Sequence, residues 1–179
     1  MQPGNPDIRG EVEDSRGLLK KIQLVLPFFR GYRKLEDIRS ADQLLRKQIS
    51  DILQQALNAL QQKRTELVNQ GQFNSLTLIG SGISSIQEFQ GELLHAQQGY
   101  SGISPTIRLN AGKLNDLYEY DLKFLDVSAN IRDLSTLSGS PDIPESLQKL
   151  SDAVNLARTT WQARLAAVEK ILLTPGGNP

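Results

Sequence analysis

Residues 34–69 read "KLEDIRSADQLLRKQISDILQQALNALQQKRTELVN". Neither Pro nor Gly interrupts them, and Leu35, Ile38, Leu45, Ile49, Ile52, Leu53, Ala56, Leu57, Leu60 and Leu67 form one drifting stripe at steps of three and four. That spacing places side chains on one face of an α-helix. At 1.5 Å per residue the segment extends roughly 50 Å. A helix of that length lies in an elongated bundle or a coiled coil, because its narrow apolar face must be covered along its whole length. Gly71 marks the stop, since glycine accepts the left-handed backbone that ends helices.

The flanking segments continue the pattern. A shorter helix is predicted over Asp14 to Leu26, with Leu18, Leu19, Ile22, Val25 and Leu26 on one side and Pro27 at its end. A proline there removes a backbone donor and clashes one turn back. Residues 73–97 keep a helical period through Phe73, Leu76, Ile79, Ile83, Ile86, Phe89 and Leu93. Gly80, Gly82 and Gly91 each weaken that helix by ~1 kcal/mol relative to Ala. The compensation expected is that small residues let two helices approach closely. A further helix runs from the N-cap residue Asn110 to about Leu134, on Leu114, Leu117, Leu122, Leu125 and Ile131. After the turn "SGSPD", Pro144 at a first helical position and Glu145 open the last helix. Its stripe is Ile143, Leu147, Leu150, Val154, Ala157, Trp161, Leu165, Val168 and Leu172. The expected fold is all-α: an elongated antiparallel bundle of four long helices preceded by a shorter basic amphipathic helix. Residues 13–173 form a single domain between mobile tails at 1–12 and 174–179.

Composition narrows the function. Aromatic residues make up only 6% of the 179, which suits long helices with narrow apolar faces. Twenty basic residues balance twenty acidic ones, so no excess of cations points to nucleic acid. The absence of cysteine removes disulfides, thiolate nucleophiles, iron–sulfur clusters and the usual structural zinc sites together. A cysteine-free chain suits the cytoplasm. The first fifteen residues are polar and acidic, the reverse of a signal peptide. The near-apolar run "LVLPFF" at 24–29 is far short of the ~20 residues that span a bilayer.

No motif commits the chain to a reaction. Di-iron bundles need a Glu-x-x-His pair on each of two helices. Glu92 and His95 supply one such spacing, and His95 is the sole histidine. No Gly-x-Ser-x-Gly elbow is present. "GSGISS" at 80–85 lacks the lysine and spacing of a Walker loop and the third glycine of a dinucleotide fingerprint. The expectation is a non-enzymatic protein with no metal and no cofactor.

Two local features remain. Asp121 lies four residues after Leu117 and four before Leu125, which sets a carboxylate on an apolar stripe. A buried carboxylate needs a partner. Arg39, Asp42 and Arg46 share one face of the long helix. The structural reading is an ion-pair and tyrosine network of Tyr32, Arg39, Asp42, Arg46, Tyr100, Tyr118 and Asp121 that ties two helices together, with "GYSGISP" at 99–105 packed over it. The rival is a polar ligand pocket lined by Tyr100, Tyr118, Asp121 and Arg39. Secondly, six basic residues and no acidic one lie between Arg16 and Leu35, flanking "LVLPFF". Lys20, Lys21, Phe28, Phe29, Arg30 and Arg33 are candidates for a membrane-surface or partner face. Alternatively they cap the bundle, with the lysines in water.

The stretches "GYRKLEDIRSADQLLR" (31–46), "GYSGI" (99–103) and "LNDLYEYDL" (114–122) resemble an uncharacterised family of prokaryotic helical proteins. The resemblance implies one helical domain over about 31–135 and carries no known activity. Gly80 and Gly82 depart from it, and the last helix and both tails lie outside it. The function expected is protein–protein interaction or scaffolding, with self-association. The alternative is a peripheral membrane-associated protein using residues 16–30, at the inner face of the membrane and serving envelope maintenance.

Overall fold

The computed structural model describes residues 38–96, 111–138 and 142–173. Among them are four helices and no strand: α1 (Ile38–Asn69), α2 (Leu76–His95), α3 (Ala111–Ser135) and α4 (Ile143–Leu173). The all-α expectation holds. The predicted helix at 14–26, the tails, and the residues Lys20, Lys21, Phe28, Phe29, Arg30, Tyr32, Arg33, Tyr100 and Asn110 lie outside the described residues.

The stripe on α1 is buried from Leu45 to Leu67. The helix ends in a Schellman motif: Gln72 N donates to Leu67 O at 2.9 Å, Gly71 N to Val68 O at 3.1 Å, and Gly71 has φ 69°. On α2, Ile79, Ile83, Ile86, Phe89 and Leu93 are buried. The helix begins later than its periodicity suggests, so Phe73 sits in the preceding turn, 61% exposed. Close approach does not explain the α2 glycines. A Cβ on Gly80 or Gly91 would meet nothing within 4 Å, and one on Gly82 would touch Leu150, Leu147 and Leu60 only at ordinary distances of 3.6–3.8 Å.

On α3 the inward face includes Tyr118 and Phe124 beside Leu117, Leu125 and Ile131, while Leu122 is half-buried. Ser128 and Ser135 interrupt this face. Each hydroxyl donates to the carbonyl four residues back at 2.7 Å, which satisfies a polar group inside an apolar stripe. Leu137 follows with φ 49°, a left-handed conformation that glycine usually takes. Its side chain is buried, and burial worth ~1.5–3 kcal/mol offsets a conformational cost of ~1–2 kcal/mol. α4 starts one residue before Pro144, where the Asp142 carboxylate accepts from Glu145 N at 3.1 Å.

The principal packing pairs among the described residues are α1–α2, α1–α3, α2–α4 and α3–α4. The consecutive helices α2 and α3 are therefore not principal partners.

Candidate functional site

One level of the bundle collects its buried charge. Asp42 on α1 accepts from both sides: Arg46 Nε reaches Oδ2 at 2.7 Å, and Arg164 Nη1 on α4 reaches Oδ1 at 2.6 Å. Arg164 Nε also donates to Asp121 Oδ1 on α3. Arg46 Nη1 continues to α2, donating to the carbonyls of Ala96 at 2.8 Å and Leu93 at 3.2 Å. Those are orphan acceptors at a helix C-terminus, where a cation is also favoured by the helix dipole. Asp42, Asp121 and Arg164 are at most 2% exposed and Arg46 only 6%. Among the described residues, two carboxylates and two guanidinium groups thus balance inside the bundle, in hydrogen-bonded geometry that offsets part of their desolvation.

Aromatic rings border the charges. Phe124 stacks on Trp161 at 5.5 Å between centroids, and Phe89 meets Phe124 edge-on at 6.2 Å. The Arg46 and Arg164 guanidinium carbons lie 4.7 and 5.5 Å from the Trp161 ring centre, a distance at which the ring's negative face attracts a cation. Tyr118 is buried on the same face of α3 as Asp121. Burial, and then the charge of Asp121, push its phenol up to about 12.

Of the residues expected to form a polar network, Asp42, Arg46, Tyr118 and Asp121 come to this level of the fold. Arg39 lies on α1, before the described side chains, while Tyr32 and Tyr100 fall outside the described residues. The cation bound to Asp121 is Arg164, which the sequence reading left out. Arg164 stands three residues after Trp161 and four before Val168, so its position on the α4 stripe was available as a signal. Tyr118 and Asp121 are almost wholly buried, and the side chains of Tyr100 and Arg39, the other two walls of the alternative ligand pocket, lie outside the described ones.

The outer surface carries weaker pairs. Arg158 on α4 lies 3.3 Å from Glu92 and 3.5 Å from Glu88 on α2, so Glu92 of the Glu-x-x-His spacing faces a cation. His95 is exposed in the last turn of α2. Among the described residues no group of three or more His, Cys, Asp or Glu could hold a metal ion, and no helix is long and apolar enough to cross a membrane. No family model matches the sequence, and searches of curated proteins and of solved structures gave no match.

Proposed function

We propose that this chain is a non-enzymatic helical-bundle protein that acts by protein–protein contact or scaffolding, through a partner or a second copy of itself. The observation that carries this reading is the apolar α1–α2 turn. Phe73 is exposed within it, and Val68 and Leu78, on the adjoining helix ends, are 45% and 44% exposed. Scattered apolar side chains on a surface need no explanation, but three within eleven residues around one turn offer apolar area to a partner. The frame proposed is the antiparallel bundle preceded by a basic helix, in the family that residues 31–46, 99–103 and 114–122 resemble. Arg46, near the start of α1, bonds carbonyls at the end of α2, which supports opposite senses for that pair. Sedimentation velocity over a wide concentration range tests self-association: the wild-type mass rises with concentration, and Phe73→Asp holds it at the monomer. A wild type that stays monomeric throughout overturns the self-associating form.

A second reading is peripheral attachment to the inner face of a membrane through residues 16–30, in a cytoplasmic protein serving envelope maintenance. Its support is the acid-free run of six basic residues around "LVLPFF". Binding to anionic vesicles then weakens with salt and is lost when Lys20 and Lys21 are changed to Glu. No binding by the wild type at low salt ends this reading.

A further inference from the structure

The four buried charges cancel, and one cation beside them does not. A cleft of about 220 Å³ opens between the start of α1 and the end of α2, lined by Gln43, Arg46, Lys47, Ser50, Leu94 and Ala96. Among the described residues no carboxylate lines it. Lys47 is exposed and makes no ion pair. Arg46 is more than nine-tenths buried, yet its Nη2 has no hydrogen-bond partner. A buried donor left over in this way calls for a physical explanation. The Ser50 hydroxyl oxygen accepts from Gln90 Nε2 at 3.1 Å, which leaves its own O–H to donate. The lining therefore offers donors from three side chains, Gln43, Lys47 and Ser50, against an apolar wall of Leu94.

We propose that this cleft binds one small phosphate-type oxyanion, free or as the head of a phosphate monoester. Lys47 supplies the unpaired charge, and Gln43 and Ser50 supply neutral hydrogen bonds. Charge-assisted donors of this kind are the strongest available to a tetrahedral oxyanion. The C-terminal carbonyls of α2 would repel an anion. Arg46 Nη1 occupies those of Leu93 and Ala96, which removes two of them from the cleft's field. The volume equals the liquid share of about seven waters, which selects a small ligand. The site does not depend on self-association or on residues 16–30.

The test is a residue-resolved amide NMR titration of the full chain with inorganic phosphate and with glycerol 3-phosphate, at constant ionic strength. Co-sedimentation with phosphatidic acid vesicles runs in parallel. The expected result is saturable shifts at Gln43, Lys47, Ser50, Leu94 and Ala96. Lys47→Gln, a surface change that leaves the fold intact, weakens binding by roughly tenfold or more. Lys63→Gln serves as the control, because Lys63 pairs with Glu66 away from the cleft and its loss leaves binding unchanged. Pelleting with vesicles that depends on Lys47 assigns the anion to a lipid head. Saturation by the soluble ester without such pelleting assigns it to a soluble ligand. Shifts that grow linearly and spread over all lysines, or equal affinity in Lys47→Gln, overturn the proposal.

Discussion

Arg164 and Asp42 meet at 2.6 Å inside the bundle although 122 residues separate them in the chain. Arg164 also holds Asp121, so a single side chain on α4 joins α1 to α3. The pair is a junction of three helices, and its neutrality depends on every member.

The first prediction concerns that junction. Removing one partner leaves a buried charge uncompensated, which costs about 3–5 kcal/mol. Asp121→Ala and Arg164→Ala should each lower stability by that order in urea melts. Glu119, two residues before Asp121 and exposed, is the contrast: Glu119→Ala should stay within about 0.5 kcal/mol of wild type. The double variant should lose less than the sum of the two singles, by ~1 kcal/mol or more, because the two groups share one interaction. Strict additivity would mean that the contact is energetically idle.

Trp161 supplies the second. It is buried, stacked on Phe124 and flanked by two guanidinium groups. Trp161→Ala should cost roughly 3–5 kcal/mol in denaturant unfolding. A loss below about 1 kcal/mol would contradict its burial.

Glycines give predictions of opposite sign. Gly80 and Gly91 are helical, with open space where a Cβ would stand. Gly80→Ala and Gly91→Ala should each stabilise by about 0.5–1 kcal/mol. Gly71→Ala should destabilise, because φ 69° suits glycine and strains any residue with a Cβ. Thermal melts of the three variants decide the matter by sign alone.

Tyr118 predicts an alkaline limit. Its phenol ionises at about 12 in the fold against an ordinary 10.0. Above pH 10 the unfolded chain loses this proton while the folded chain keeps it, so stability falls as pH rises from about 10 to 12. Below pH 10 the contribution is fully present. Tyr118→Phe should flatten that part of the pH–stability curve, whatever it does to absolute stability. An unchanged slope in the variant would show that Tyr118 does not carry the effect.

The helices were legible because their apolar residues recur at helical spacing over twenty or more positions. Asp121 was legible for the same reason, standing at four from both Leu117 and Leu125. Its partner was not, because an arginine inside an apolar stripe reads as a surface residue until a carboxylate is placed opposite it. Phe73 continued the α2 period into a turn, since periodicity alone does not mark where the backbone leaves the helix. Gly80 and Gly91 were misread as contact points, because their spacing says nothing about what lies across from them. Which helices become neighbours leaves no mark in the amphipathic pattern, because each stripe shows only that one face is covered and not by what.

The separation of Arg164 from Asp42 has a kinetic consequence. The bonds from Arg46 to the end of α2 span about fifty residues and can form once α1 and α2 have paired. Closing the junction needs α4, which follows the other three described helices in the chain, and the entropy of closing a long loop must be met before its charges leave water. Until then Asp42 and Arg46 stay hydrated on an incomplete bundle. Desolvation of the charges thus belongs to the final locking of the structure, after most apolar surface has been covered. Interactions made that late act chiefly on the rate of opening. The junction then works as a latch: it sets how long the assembled bundle stays shut, and hardly affects how quickly it assembles.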